Sequence, residues 1–341
     1  MLKFILILAL LSLTKAFLFS SPSNSTDPDE NVSTFDLIKR RGYPAEQHDV
    51  LTKDGYIITM HRIAKPNSKK LILLQHGLMD SSSTWVINFA NQSLGFILAD
   101  NDYDVWLGNM RGNRYGLTHI KYNASQDEFW DFSFDEMSEY DLTAMIDYVL
   151  DKTGQSNLFY VGHSQGTLIK FINSNPIYLN KIKLFIALGP VATVAHMNAT
   201  IPNTLANLGS FSNQEIYYKI FGRHAFASTQ FDFILKTLCN RNGSKCGHSP
   251  NLNKTRMNVY FSHFPSGTST KNMAHFAQLI ASKQVQKYDY GKENNILHYN
   301  QTNTPIYDLK LMTTPTAIYV RFSERLSFEP EFLKNKNLRN L

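Results

Sequence analysis

The stretch of sequence that decides the fold is Leu158-Phe159-Tyr160-Val161-Gly162-His163-Ser164-Gln165-Gly166. Its last five residues have the form G-x-S-x-G, in which a sharp turn from a strand into a helix lifts a serine hydroxyl above a sheet. The apolar residues before the turn are typical of a buried strand, and residues 167–171 are compatible with a helix. Gly162 and Gly166 leave room for the two backbones to pass closely. The stretch therefore predicts a nucleophile elbow with Ser164 as the attacking serine.

A second run, Leu71-Ile72-Leu73-Leu74, is apolar throughout, which is typical of a parallel strand buried on both faces. It ends in Gln75-His76-Gly77-Leu78, and a strand that ends in H-G is where such an elbow has its first oxyanion-hole donor. We expect the backbone N–H groups of Leu78 and Gln165 to form that hole. His76 could in principle act as a base, but beside this glycine we expect it to order the loop by hydrogen bonding.

The remaining elements of the core follow from the same kind of pattern. Apolar runs bounded by turn residues predict further strands at 48–52, 56–63, 103–107, 184–188 and 316–320. Residues 137–150 have helical periodicity, and Ser133 with Glu136 forms a capping-box pattern before them. The glycine-rich stretch 108–113 lacks the spacing of a phosphate-binding loop, so we expect a tight loop packed by its arginine, Arg111. Together these elements predict an α/β fold with a mostly parallel central sheet flanked by helices.

From about residue 191 to residue 299 the alternation of strands and helices stops, and phenylalanine, methionine, histidine and asparagine become frequent. An insertion of this length between core strands predicts a mainly helical cap over the serine. Its aromatic side chains either line an acyl-binding site or fill the cap's own core. The expected organisation is a signal peptide at 1–16, a flexible segment at 17–34, the first part of the core at 35–190, the cap at 191–300 and the second part of the core at 301–341.

The N-terminus has the pattern of a secretory signal peptide, with Lys3, an apolar stretch at 4–13 and a small-x-small cleavage site at Thr14-Lys15-Ala16. No other run approaches about 18 apolar residues, so we predict no transmembrane helix. The net charge of +6 is spread along the chain without a block of like charges, which argues against a nucleic-acid partner. The sequence leaves the oligomeric state open.

Entry into the secretory pathway gives meaning to the sequons and to the two cysteines. We expect glycans on several of the N-x-S/T sites, which are Asn24, Asn31, Asn91, Asn123, Asn198, Asn242, Asn253 and Asn300. Cys239 and Cys246 either close a small disulfide loop, worth about 2.5 kcal/mol in the entropic model, or remain free thiols. Two thiolates without nearby histidine or cysteine partners fall short of a metal site, so neither a metal nor another cofactor is predicted.

Taken together, the motifs resemble the acid lipase family, the group of gastric lipase and lysosomal acid lipase. The resemblance extends from about residue 35 to residue 319. The stretches that it rests on are Gly42-Tyr43-Pro44, Asp54-Gly55-Tyr56, Gln75-His76-Gly77-Leu78, residues 104–113, residues 129–137, Gly162-His163-Ser164-Gln165-Gly166, Ser266-Gly267-Thr268-Ser269 and Asn272-Met273.

The resemblance implies an α/β-hydrolase fold and a carboxylic ester hydrolase that works through a serine acyl-enzyme. The implied partner is a neutral lipid ester, a triacylglycerol or a cholesteryl ester, at a lipid–water interface. The implied location is extracellular, as in the gut lumen, or lysosomal. The family also has a cap disulfide, and Cys239 and Cys246 lie in the matching region.

The chain departs from the family after residue 320. The family has a G-G-x-D segment there for the triad acid, whereas this chain has Val320-Arg321-Phe322-Ser323-Glu324-Arg325. Glu324 is the candidate acid, and an alignment through Pro330 would put Arg325 there instead. The family's histidine segment, N-H-L-D-F, would come after Leu341. No triad histidine is therefore identified, and we expect the last strand and helix of the core to be missing.

A triad enzyme that lacks its base loses about 10⁶ in turnover. Three hypotheses stay open: a lipase whose recorded sequence is cut or frameshifted near residue 320, a catalytically deficient short homologue that binds lipid, and a weak esterase that uses Glu324 with a relocated histidine. His163 cannot fold back onto the neighbouring serine, and His263, His275 and His298 fall in the expected cap.

Overall fold

A central sheet of eight strands organises the computed structural model, which describes residues 27–192, 224–225 and 253–320. The described strands are β1 (Ala45–Leu51), β2 (Tyr56–Ile63), β3 (Lys70–Gln75), β4 (Tyr103–Gly108), β5 (Thr118–His119), β6 (Leu158–His163), β7 (Ile182–Leu188), β8 (His224–Ala225), β9 (Thr268–Ser269) and β10 (Thr316–Tyr319). The strands predicted from apolar runs are thus confirmed, with ends that differ by a few residues.

The order across the sheet is β1-β2-β4-β3-β6-β7-β10, and β5 pairs with β2 at its side. From β4 through β10 all neighbouring strands are parallel, whereas β2 is antiparallel to β1, β4 and β5. β8 and β9 form a separate antiparallel pair. This is the mostly parallel sheet that the sequence predicts.

Helices cover both faces of the sheet and continue into the expected cap. The described α-helices are α1 (Thr34–Arg40), α2 (Leu94–Asp100), α3 (Phe134–Glu136), α4 (Leu142–Thr153), α5 (Gln165–Phe171), α6 (Pro176–Asn180), α7 (Met257–His263), α8 (Thr270–Ser282) and α9 (Lys292–Tyr299). The last three lie in the part of the expected cap that the structure describes, which also contains short connections and the two-stranded pair of β8 and β9.

The continuous apolar runs of the central strands are explained by burial on both faces of the sheet. Successive side chains of a strand point to opposite faces. In β3, Leu71 and Leu73 join one hydrophobic core, while Ile72 and Leu74 join the other. The first core includes α4 and α5, and the second includes α1 and α2. β6 lies between the two cores, so its C-terminal end is rigidly placed.

The helix predicted over 137–150 is confirmed, and its apolar stripe is buried, but its first turn is not α-helical. Residues Met137–Asp141 form a π-helical turn between α3 and α4. A π turn inserts one extra residue, so the side chains after it are rotated relative to a continuous α-helix. Here the turn brings Asp141, which is fully buried, against Arg111. The predicted capping box is present: Glu136 Oε2 accepts from Ser133 N–H at 2.7 Å, and Ser133 Oγ accepts from Asp135 N–H at 3.2 Å.

Arg111 joins the loop after β4 to two other parts of the core, as the sequence predicts for a loop packed by an arginine. Its Nε lies 2.8 Å from Asp141 Oδ1, and its Nη1 lies 2.6 Å from Asp54 Oδ2. The guanidinium also stacks 4.0 Å from the ring centroid of Tyr56. Burial alone would favour the neutral form, but Asp141 and Asp54 hold the pKa of Arg111 above its ordinary range.

Several predictions fall outside the described residues. They are the signal peptide at 1–16, Asn24, Asn198, Asn242, Cys239, Cys246, Glu324 and most of the expected cap between 193 and 252. Of the other sequons, Asn31, Asn91, Asn123 and Asn300 are exposed and Asn253 is half-buried. Within the described ranges, no helix is both long enough and apolar enough to cross a membrane.

We predict that Arg111→Met lowers the free energy of unfolding by about 3–5 kcal/mol, because it leaves Asp141 buried without its charge partner. Urea denaturation at pH 7 measures the change. Lys65→Met is the control, since Lys65 and Asp102 form an exposed ion pair and such pairs contribute little to stability. A loss for Arg111→Met no larger than that of the control would contradict the role assigned to the buried arginine.

Candidate active site

Ser164 lies at the turn between β6 and α5 with a backbone conformation that few non-glycine residues adopt. Its φ is 50° and its ψ is −117°. The surroundings hold this strained conformation in place: Ser164 N–H donates to Leu188 O at 3.1 Å, and Thr167 N–H and Oγ1 donate to Ser164 O at 2.8 and 2.6 Å. Strain of this kind persists only where neighbouring structure over-determines it, and it concentrates at functional sites.

The two glycines of the elbow are required by close contact between backbones. A Cβ on Gly162 would lie 2.6 Å from Gly166 O, and a Cβ on Gly166 would lie 2.6 Å from Gln75 O. Both distances are well below a normal carbon–oxygen contact. The crossing therefore brings the ends of β3 and β6 and the start of α5 together directly beneath Ser164.

The loop after β3 reaches the serine from the other side. A Cβ on Gly77 would lie 3.1 Å from Ser164 Cβ, so the backbone at Gly77 is in close contact with the serine. Next come Leu78, half-buried, and Met79, whose φ is 58°. Neither Leu78 N–H nor Gln165 N–H donates a hydrogen bond to any other residue in the part of the chain that the structure describes. The structure thus presents two unbonded amides from the two segments that flank Ser164.

His76 orders this loop, as the sequence predicts. Its Nδ1 lies 2.8 Å from Gly77 O and its Nε2 lies 3.1 Å from Asn113 Nδ2. The carbonyl must accept and the amide nitrogen must donate, so Nδ1 holds the proton and Nε2 holds none. Burial lowers the pKa of His76 from 6.5 to about 4, which keeps this neutral tautomer over most of the acid range.

The other histidines with described contacts near the expected cap are also engaged elsewhere. His263 bonds Val32 O through Nε2 at 2.8 Å, and His275 bonds Gln286 O through Nε2 at 3.0 Å. His298 is exposed and stacks on Tyr290, with ring centroids 3.7 Å apart. Among the described side chains, none forms a hydrogen bond with Ser164 Oγ, so the described part of the chain does not supply a base for it.

Lys170 is a residue that sequence reasoning missed. It lies in α5, its side chain is fully buried, and its Nζ has no hydrogen-bond partner within the described residues. Burial lowers the pKa of Lys170 from 10.5 to about 8. The available signal was a lysine inside the otherwise apolar run 168–172, shortly after the elbow.

Comparison with known proteins agrees with this geometry. Residues 34–89 match the family model described as a partial alpha/beta-hydrolase lipase region, and residues 70–305 match the model of the alpha/beta hydrolase fold. The elbow, the sheet order and these matches define the protein as an α/β hydrolase, a hydrolase of the lipase class.

Similar proteins of known name identify the family within the α/β hydrolases. Lipase member K of Mus musculus is 41% identical, covering 91% of this chain and 84% of that protein. Human lysosomal acid lipase/cholesteryl ester hydrolase is 43% identical, covering 86% of this chain and 78% of that protein. Gastric triacylglycerol lipase of Mus musculus is 42% identical, covering 86% and 79%. The chain belongs to the family of these acid lipases, which confirms the resemblance.

We predict that Lys170→Met stabilises the protein, by about 3 kcal/mol at pH 7, because it removes a buried charge that lacks a partner. The folded pKa lies below the unfolded value, so the deficit in the wild type is full below pH 8 and disappears as the pH rises to 10.5. The gain at pH 9.5 should therefore be about half of that at pH 7. Urea denaturation of both proteins at both pH values measures it.

Lys152→Met, at an exposed position of α4, is the matched control and should give no gain that varies with pH. A gain for Lys170→Met that is equal at the two pH values would contradict the assignment, because a change in packing alone does not titrate.

Proposed function

We propose that this protein hydrolyses carboxylic esters of neutral lipids, triacylglycerols or cholesteryl esters, with Ser164 as the nucleophile. The observation that supports this most directly is the strained Ser164 between two unbonded amides, those of Leu78 and Gln165. The proposed substrate class is that of the relatives, which include a cholesteryl ester hydrolase and a triacylglycerol lipase.

In the proposed reaction, Ser164 Oγ attacks the ester carbonyl carbon, and the hydroxyl proton passes to a base. The carbonyl oxygen becomes an oxyanion that accepts hydrogen bonds from Leu78 N–H and Gln165 N–H. Removal of one such donor in a serine hydrolase costs about 10²–10³ in turnover. The alcohol leaves with a proton, and water then releases the fatty acid from the acyl-serine.

The base and the acid of the triad are the parts of this proposal that rest on the sequence. Glu324 is the proposed acid, and it lies outside the described residues. No histidine in the described part of the chain forms a hydrogen bond with Ser164 Oγ, and we keep lipid binding without turnover as a second candidate function. Without a base, about 10³–10⁴ of rate enhancement over water remains from the oxyanion hole and substrate binding.

The remaining parts of the proposal concern where the protein works. We place it in the secretory pathway, in the lysosomal lumen or outside the cell, with the cap at 191–300 over an acyl-binding cleft. Several of the exposed sequons would be glycosylated, and Cys239 and Cys246 would form a disulfide.

We predict Ser164-dependent hydrolysis when the full chain is expressed through a secretory host and assayed on a short-chain and a long-chain ester from pH 4 to 8. Ser164→Ala should abolish it, because the alanine keeps the elbow but lacks the nucleophile. Ser156→Ala, at an exposed serine away from the site, is the matched control and should retain full activity. A fluorophosphonate should label wild-type protein on the peptide containing Ser164.

Equal rates for wild type and Ser164→Ala, with folded protein, would contradict the hydrolase proposal. If that folded protein also takes up a fluorescent triacylglycerol analogue from an emulsion, the second function, lipid binding, would replace it.

A further inference from the structure

One family-typical stretch, Ser266-Gly267-Thr268-Ser269 with Asn272, has no role in the chemistry proposed above. Residues 266–272, called the brace segment here, follow α7 and comprise the end of the connection, β9 and the first three residues of α8. In the structure they lie against both segments that flank Ser164. The contacts are polar, buried and made to residues at or beside the two proposed oxyanion donors.

The first end of the brace segment is bonded to the loop after β3. Ser266 N–H donates to Met79 O at 2.6 Å, and Met79 directly follows Leu78. Arg114 fixes Ser266 in turn: its N–H lies 3.0 Å from Ser266 O and its Nε lies 3.1 Å from Ser266 Oγ. Its two terminal nitrogens each donate to a carbonyl at the end of α7 at 3.2 Å.

The second end is bonded to the elbow. Asn272 is fully buried, and its Nδ2 donates to Gln165 Oε1 at 2.8 Å. Gln165 is itself buried, and its Nε2 lies 3.3 Å from Met137 Sδ, so both ends of its side-chain amide are held. The position of Asn272 is set by the start of α8, where its N–H donates to Ser269 Oγ at 2.9 Å. Ser269 Oγ also donates to Phe132 O, which ties the helix start to the core.

From these contacts we infer that the brace segment positions the oxyanion hole, with Asn272 and Arg114 as positioning residues for the amides of Gln165 and Leu78. The inference rests on the proposed function, because it takes those two amides as the oxyanion donors. Donors stabilise a transition state only if they are already in place before charge develops. One short segment bonded to both sides fixes the distance between two donors that come from different strands.

The contacts of the brace segment are buried hydrogen bonds between polar groups, which packing alone would not require. A segment that only filled space could use apolar side chains, which bury no polar groups that need partners. Here the Asn272 amide bonds the side chain of Gln165, whose own backbone N–H is a proposed donor. Loss of the Asn272 amide would leave Gln165 Oε1 buried without that partner and free to adopt another rotamer.

We expect Asn272→Leu to lower kcat for ester hydrolysis by about 10–100-fold with KM changed less than about twofold, because a displaced donor stabilises the transition state and not the bound ester. Asn295→Leu is the matched control. Asn295 is equally buried, but its amide bonds Asp289 Oδ1 and Thr302 O within the same region of the chain, away from Ser164. It should change thermal stability without changing kcat.

A double-mutant cycle separates positioning from general damage. If Asn272 acts through Gln165, adding Asn272→Leu to Gln165→Met should lower kcat no further than Gln165→Met alone. Independent, multiplying losses would overturn the inference. Asn272→Ala is the second variant for the case in which Asn272→Leu does not fold, and Arg114→Met tests the other end of the segment in the same way.

Hydrogen exchange gives a readout that does not need activity. Asn272→Leu should speed exchange in residues 164–171, where Thr167 N–H bonds Ser164 O, and Arg114→Met should speed it in residues 78–84. Asn295→Leu should do neither. If the wild-type protein shows no Ser164-dependent turnover, the proposed function is refuted. The exchange rates alone then test whether the brace segment holds the two segments that flank Ser164. Unchanged exchange rates in both Asn272→Leu and Arg114→Met would overturn the inference that the brace segment positions these amides.

Discussion

The crossing of backbones beneath Ser164 is the constraint on which the rest of the site depends. With Gly162 and Gly166 in contact distance of neighbouring carbonyls, β6 ends and α5 begins within a single residue. That residue must take a positive φ, and the hydrogen bonds to Leu188 O and from Thr167 hold it there. The hydroxyl, the Gln165 amide and the loop at Gly77 are then placed by the sheet, because β3 and β6 are neighbouring parallel strands.

Much of this could be predicted from sequence because the determinants are local. The elbow, the apolar strands and the capping box at Ser133 each depend on residues that are close together along the chain, and so does the bond from His76 to Gly77 O. The π turn at Met137–Asp141 could not be predicted from the local pattern, because the partner of its buried Asp141 is Arg111, 30 residues away in a different loop. The spacing of the apolar residues in the sequence does not reveal such a turn. It becomes visible only when the contact between the buried Asp141 and Arg111 is known.

The contacts of Lys170 and Asn272 escaped prediction for a related reason. Asn272 meets Gln165 across 107 residues of sequence, and no spacing rule links an asparagine at a helix start to a glutamine after an elbow. For Lys170, the apolar neighbours are visible in the sequence, but only the fold shows that its Nζ is buried. The local sequence pattern identifies the candidate catalytic groups, whereas the positions of those groups relative to one another depend on long-range contacts.

The buried His275 makes the stability of the fold depend on pH. Burial lowers the pKa of His275 to about 3, where Nδ1 faces Ser133 Oγ and Nε2 faces Gln286 O. Its folded pKa lies below the unfolded value of 6.5, so its contribution to stability is complete above pH 6.5. That contribution falls by about 1.4 kcal/mol for each pH unit below 6.5 until the folded pKa is reached.

The depressed pKa has a local consequence as well as this global one. His275 lies one turn after Asn272 on α8, so its bonds help to hold the same helix start that holds Gln165. Because the imidazole stays neutral until about pH 3, those bonds survive through the acid range from pH 6.5 downward even as global stability declines.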